Sequence, residues 1–322
     1  MPEGILIDYN DGRQPMHITT GMRAPAYCGT LTQNNRQVTD RFGNGSITFY
    51  APSNPGSQVI FIPTNPVMVY QFGSLPEIYY ITQVTRPDLS NMVVSFGNKG
   101  GGGNRSVAFD GLAFEVLPAA SYNEGLLVAD STNFTAISNI GTILTCAWSG
   151  NMYVNGQAAL PVGGIPFCKW DNPNVSVGFD GTNLVVRDIT HNSRDDIAGA
   201  VSIDVVVFNQ TPPVASEGIT MYNSTGQCTF STAKKPFLFD STFQITDNNQ
   251  WIGNKYINVC YTGTQVRMIG GFGNGRYKGL VRTGGYVRST WNKVFGGTPS
   301  NGWDASYNMN ISMPMVLLPD SY

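Results

Sequence analysis

Histidine is nearly missing from this chain: His17 and His191 are the only two in 322 residues. General acid–base and nucleophilic catalysis near neutral pH leans on a base poised in that range. Neither histidine stands in a catalytic pattern, and the sequence has no Gly-x-Ser-x-Gly elbow and no His-Glu-x-x-His. The paired carboxylates that glycosidic cleavage needs cannot be picked out either. Charge is scarce as well, at 12% of residues. The helix formers Glu, Lys and Leu give way to Gly, Asn, Ser, Thr and aromatics, a balance that favours strands and turns. A chain with so little colloidal repulsion suits a place inside a permanent assembly. No stretch approaches the roughly 18 apolar residues of a membrane span. The opening MPEGILIDYNDG lacks the basic and apolar regions of an export signal, so a soluble, unexported protein is expected.

Cysteine is present but arranged for no chemistry. Cys28, Cys146, Cys168, Cys228 and Cys260 are odd in number, and none belongs to a Cys-x-x-Cys pair. Buried, reduced thiols are expected, with no metal and no cofactor. Asp8-Tyr9-Asn10-Asp11-Gly12 has calcium-loop flavour, but its oxygens fall at the wrong spacing and no glutamate follows at the twelfth position. It reads as a hairpin turn, and Asp195-Asp196 as a solvated loop.

What the chain does have is repetition. One opening phrase occurs three times: EGILIDYNDGRQPMHIT from Glu3, EGLLVADSTNFTAIS from Glu124 and EGITMYNSTGQCTFS from Glu217. The second and third copies align without gaps at an offset of 93 residues. The copies also end alike, on an alternating apolar strand that runs into a proline and then a serine: VAFDGLAFEVLPAAS, VSIDVVVFNQTPPVAS and NMNISMPMVLLPDS. Val107, Phe109, Leu112 and Phe114 match Val201, Ile203, Val206 and Phe208. Pro118 and Pro213 cannot donate to a ladder and so stop that strand. Cys168 and Cys260 share a place in the second and third copies, with Met68 in NPVMVY as the first copy's counterpart, displaced by an insertion near residues 31–57. Cys146 in GTILTCAW matches the KPFLFD stretch.

These landmarks place boundaries near 122 and 216, giving modules 1–122, 123–216 and 217–322. Short alternating runs such as QVIFIP, NLVVRDI and VSIDVVVF, separated by turns at Asn10-Asp11-Gly12, Gly150-Asn151 and Asp180-Gly181, predict an all-β chain of three tandem β-sandwich modules. The Gly-rich runs Gly97–Ser106 and Gly270–Gly279 read as hairpin tips. A phosphate-cradling loop would need a helix after it.

Charge separates the modules. The first has seven basic residues against eight acidic, the second three against eight, and the third nine against five. Within the third, Arg267, Arg276, Lys278, Arg282, Arg288 and Lys293 run without an intervening acid among Phe272, Tyr277, Tyr286, Trp291 and Phe295. Three roles fit such a stretch: docking onto the acidic second module or a neighbouring subunit, contact with a glycan or receptor, and nucleic-acid binding, the last the least favoured. Arg267, Arg276, Tyr277, Lys278, Arg282, Tyr286, Arg288, Trp291 and Lys293 form the candidate contact surface. Trp251 and Trp303 flank it as core or contact residues.

The opening GILIDYNDGRQPMHITTGMR, followed by a β-rich, Gly- and Asn-rich body, resembles small virion proteins of lambdoid long-tailed bacteriophages encoded near the host-specificity and tail-fibre genes. The resemblance implies a non-enzymatic structural component at the tail tip or tail fibre. Its expected partners are other tail proteins in a symmetric assembly and, at adsorption, a host receptor or glycan. A glycan-binding module and a capsid decoration protein are the alternatives. The resemblance carries no catalytic residue over to this chain.

Overall fold

The computed structural model describes residues 24–72, 75–116, 142–215, 219–222, 225–238, 240–298 and 307–322, together with the strands at 4–7 and 16–19. Among these residues the fold is all-β, with no α-helix. The first copy contributes β1 (Gly4–Ile7), β2 (Met16–Thr19), β3 (Ala26–Leu31), β4 (Gln37–Val38), β5 (Gly45–Tyr50) and β6 (Gln58–Asn65). It continues with β7 (Val67–Phe72), β8 (Leu75–Thr85), β9 (Asn91–Lys99), β10 (Ser106–Val107) and β11 (Asp110–Val116). The second contributes β12 (Thr142–Ile143), β13 (Thr145–Asn155), β14 (Gln157–Ala159), β15 (Ile165–Lys169), β16 (Asn172–Phe179), β17 (Asn183–Asp188) and β18 (Ala200–Asn209). The third begins with β19 (Thr220–Tyr222), β20 (Cys228–Ser231), β21 (Ser241–Gln244), β22 (Gln250–Trp251) and β23 (Tyr256–Asn258). It ends with β24 (Gly263–Ile269), β25 (Phe272–Thr283), β26 (Tyr286–Thr298), β27 (Met309–Asn310) and β28 (Pro314–Leu318).

Alternation in sequence becomes alternation in burial. Along β5, Ile47 and Phe49 point into the core while Ser46, Thr48 and Tyr50 face solvent, the period of two that a strand with one wet face requires. The first half of β18 alternates in the same way, but Val205–Phe208 are buried on both faces because a second layer covers that half. Asp180-Gly181 closes the β16–β17 hairpin as predicted, with Gly181 at φ +96°, a conformation glycine adopts without steric cost. Ser149-Gly150-Asn151 does not turn: it lies inside β13, paired residue for residue with Val206–Asp204. The Gly270–Gly279 run is a tip only at Gly270-Gly271; the rest is the first part of β25.

One strand order recurs. In each copy the closing strand lies between the opening and middle strands of one sheet, as β3-β11-β6, β13-β18-β15 and β21-β28-β23. The other sheet runs β5-β9-β8-β7 in the first copy and β22-β26-β25-β24 in the third, and β14-β17-β16 in the second, one strand shorter. The opening phrase makes a hairpin in the first copy (β1 with β2) and in the third (β19 with β20). The phrase from Glu124, the turn at Asn10-Asp11-Gly12, the boundary near 122, Pro118 and Trp303 lie outside the described residues.

The boundary near 216 is not a break between self-contained sandwiches. β15 pairs antiparallel with β23 in one layer and β16 with β25 in the other. The first layer therefore reads β13-β18-β15-β23-β28-β21, a palindrome of copies two and three. The second mirrors it, with β25 giving the first part of one edge to β24 and the remainder to β16. Strands that hold corresponding places in the two strand orders thus meet antiparallel. The physical reason is the missing strand of the second copy: without a counterpart of β7 or β24, β16 would present a bare edge, and β25 covers it.

Strand order also corrects the match of Met68 to the cysteines. Met68 lies on β7, whereas Cys168 lies on β15, whose counterpart in the first copy is β6. Cys168 and Cys260 are fully buried, and burial raises both thiols far above their ordinary value. None of the five cysteines is in a disulfide.

The first copy packs its β6–β11 face on the fused pair. Ile60, Ile62, Phe114 and Val116 meet Ile165, Phe167, Val206, Phe208, Tyr256, Val316 and Leu318 in one apolar cluster. At its centre Phe237, from the KPFLFD stretch, lies 5.1 Å from Phe208, 5.2 Å from Phe114 and 5.6 Å from Phe167. Phe114 and Phe208, matched in sequence, thus both pack on Phe237 in the shared core. Replacing Phe237 by alanine removes the ring common to all three contacts. The expected loss is about 3–5 kcal/mol in urea unfolding. Asn258, on β23 opposite Phe167, is fully buried with neither amide atom of its side chain hydrogen-bonded. Asn258→Leu removes that desolvation cost at similar volume and is expected to stabilise by about 1–3 kcal/mol in the same assay.

Candidate functional site

The candidate contact surface of the third copy is largely an interior. Arg276, Lys278, Arg282 and Trp291 are each 3% exposed or less. Arg276 on β25 donates to the Ser193 and Asp195 carbonyls of the second copy at 2.9 and 2.8 Å, to the Asn292 carbonyl at 3.2 Å and to Asn274 Oδ1 at 2.9 Å. Its guanidinium also covers the Trp291 ring at 4.2 Å, and Arg267, half-buried, covers that ring at 3.7 Å. Arg282 donates to the carbonyls of Trp170 and Gly253. Lys278 holds both carboxylate oxygens of Asp247 at 2.8 and 2.9 Å. Tyr277 stacks on Tyr261 at 4.4 Å, and Lys293 lies 3.8 Å from Asp180. Arg288 is half-buried on β26, and only Tyr286 is well exposed. An unbroken basic run looks like a nucleic-acid or glycan surface in sequence; in the fold Arg276 and Arg282 reach carbonyls of the second copy, while Lys278 is held by Asp247 of its own copy.

The acidic second copy supplies the other half of this contact. Asp196, expected in a solvated loop, pairs with Arg187 at 2.9 Å, lies 4.0 Å from Arg276 and accepts the Val294 N–H at 3.2 Å. Burial brings the Arg276 guanidinium down to about 10, against the opposing pull of Asp196. Burial likewise lowers Lys278, against its bond to Asp247. For Asp247 burial works upward, but hydrogen bonds from Lys278 and Asn310 outweigh it and hold the carboxyl below its ordinary value.

The other sequence candidates keep to local roles. His191 is exposed and shares Asp188 with Thr190 in a turn, while His17 sits opposite Leu6 in the β1–β2 hairpin. The Gly97–Ser106 run is not a hairpin tip: it leads from the end of β9 across to β10, which pairs with β4 in another sheet, and its Arg105 clamps Glu77 at 2.6 and 2.8 Å. Among the described residues no group of three or more His, Cys, Asp or Glu could hold a metal ion.

What the fold leaves outside is aromatic. Trp251 on β22 is 67% exposed and Tyr286 on β26 is 45% exposed. They are directly paired across the ladder, with rings 5.0 Å apart and nearly perpendicular. The indole lies against Gly285, where a Cβ would come within 2.7 Å of it. Beside it opens a groove of about 500 Å3 that includes Asp240, Ser241, Asn254, Lys255 and Asp320. A second cleft, of about 690 Å3, is lined by Trp148, Lys169, Asp204, Lys235 and Tyr256 among others. Its charged groups are engaged locally: Lys169 with Asp320 at 2.7 Å, Lys235 with the Ser321 carbonyl at 2.6 Å, Asp204 with Asn151 at 2.8 Å. Asp240 and Lys255 carried no sequence signal. The sequence offered only one hint at Trp251: it alternates with Ile252, and where Ile252 is buried the tryptophan faces outward.

With this geometry in view the chain can be placed among known sequences. It belongs to a family of unknown function (DUF6453). The family model matches residues 4–299, from β1 through the end of β26, so it covers the hairpin of the opening phrase and the Trp251–Tyr286 pair and stops short of β27 and β28. Neither the curated proteins nor the solved structures contain a match.

Arg276→Ala strands two carbonyls of the Ser193–Asp196 loop and leaves Asp196 short of a cation. Loss of about 3–5 kcal/mol is expected, with faster amide exchange in residues 190–197. Acid sensitivity follows from Glu77, whose carboxyl Arg105 holds below its ordinary value. The unfolded chain takes up that proton first, so the stability this pair contributes is complete above the ordinary carboxylate range and is lost as pH falls through the folded value. Glu77→Gln should flatten the acid limb of a stability–pH profile, and an unchanged limb would contradict this.

Proposed function

We propose that this protein is a structural component of a bacteriophage virion, at the tail tip or tail fibre, assembled in the host cytoplasm. It acts by surface complementarity with other tail proteins, in a symmetric assembly, and takes part in host adsorption. The observation that carries this reading is the use made of charge. Within the basic run, Arg276 and Arg282 are spent inside on carbonyls of the second copy, and Lys278 on Asp247. What remains outside is scattered aromatic surface: Tyr50, Tyr153 and Phe42 are 69%, 68% and 62% exposed. Aromatic side chains are the groups most enriched where proteins meet proteins. The likeness of the opening twenty residues to tail-associated virion proteins supports the location.

Immunogold labelling of intact particles, with an antibody against the full chain, should decorate the tail. Label on the head alone would favour capsid decoration, and particles without the protein would refute the reading. The alternative of a glycan- or receptor-binding module is favoured by one observation, the exposed Trp251–Tyr286 pair.

A further inference from the structure

We infer that the groove beside Trp251 binds a neutral hexose unit of an oligosaccharide, with the indole as the stacking platform and Asp240 and Lys255 as the hydroxyl-recognising pair. The inference goes beyond the virion reading and does not rest on it. A sugar ring offers an apolar C–H face and a rim of hydroxyls. Its site must therefore present a fixed aromatic plane next to convergent donors and acceptors, as small-ligand sites do in general.

The plane is fixed by backbone. Ile252 and Gly253 both donate to the Gly285 carbonyl, at 2.9 and 3.1 Å, and Trp251 pairs with Tyr286. Gly285 at φ +80° lets the turn pass directly beneath the indole, where any Cβ would collide with it. One part of the ring is thus backed by the turn and one edge by Tyr286, while two thirds of the residue stays open to solvent. A tryptophan held in this way costs little additional ordering when a ligand lands on it.

The polar rim is equally specific. Lys255 and the Ser241 hydroxyl both donate to Oδ2 of Asp240, and Lys255 also reaches Ser241 Oγ at 3.4 Å. Oδ1 of Asp240 accepts no hydrogen bond among the described residues. An ammonium has three donors, so Lys255 keeps capacity beyond these two contacts. A carboxylate acceptor beside an ammonium donor matches two adjacent hydroxyls of a hexose. The groove's other acid, Asp320, is already paired with Lys169. With Asp240 matched to Lys255 and Asp320 to Lys169, no net cation is left for a sulfated or uronic sugar, which selects a neutral ring.

The test is retardation of the full chain in native gels cast with dextran, galactomannan or laminarin, with hyaluronan as the acidic comparison. A glycan array of neutral hexose oligosaccharides runs in parallel. Retardation by at least one neutral polysaccharide is expected, and none by hyaluronan. Trp251→Ala should weaken binding at least tenfold and Asp240→Asn severalfold, while Trp251→Phe retains most of it. Tyr153→Ala, which removes an equally exposed aromatic elsewhere, should leave binding unchanged; circular dichroism and thermal melting check that each variant is folded. No binding to any neutral glycan on gel or array, retardation by hyaluronan alone, or a Trp251→Ala protein that binds as the parent does would each overturn the assignment. Gold label on the tail can stand or fall separately from all of these.

Discussion

Strand β15 meets β23 edge to edge, and in the opposite layer β16 meets β25. Everything distinctive about the molecule follows from that double pairing. A sheet edge presents unpaired N–H and C=O groups in a row, and an uncovered edge invites pairing with other chains. The second copy, one strand short, has such an edge on β16, and the third copy closes it. Once the two equivalent middle strands are joined antiparallel, their flanking strands must follow in mirrored order. Two repeats then share two continuous layers.

The same junction explains the charge distribution. Joining the copies brings the Ser193–Asp196 loop against β25, and a loop entering an interface carries carbonyls that lose water. Arg276, with a planar fork of donors, satisfies two of them and still reaches Asn274 and Asn292. A buried cation is expensive in isolation, and its retention is worthwhile only where several acceptors converge on it. Lys278 and Arg282 meet that condition as well, through Asp247 and through main-chain carbonyls. Across the junction, ion pairs between the second and third copies run in both senses, Lys293 with Asp180 and Lys169 with Asp320. Above it, the Phe237 cluster joins the first copy to the pair by apolar burial.

Among the side chains the fold leaves exposed are the aromatics Tyr50, Tyr153 and Trp251. Trp251 is held outward by the same β22–β26 ladder that extends the fused layer to its edge.

The amino-acid sequence by itself determined the all-β character, through alternation and turn chemistry, and it also determined the strands whose burial follows a local period of two. The closing strands β11, β18 and β28 and the turn at Asp180-Gly181 were legible for that reason. The opposite charge of the second and third copies was legible as well, with docking among its readings. Where the third copy's basic residues lie in the fold was decided by tertiary structure alone. A basic residue on a strand looks the same in sequence whether it meets solvent or the carbonyls of a loop more than eighty residues away, so Arg276 and Trp291 read as surface and proved to be core. Strand pairing across residue 216, the centring of Phe237 among three matched or neighbouring rings, and the convergence of Trp251, Asp240 and Lys255 on one groove depend on which edges meet, a long-range choice that no local pattern encodes.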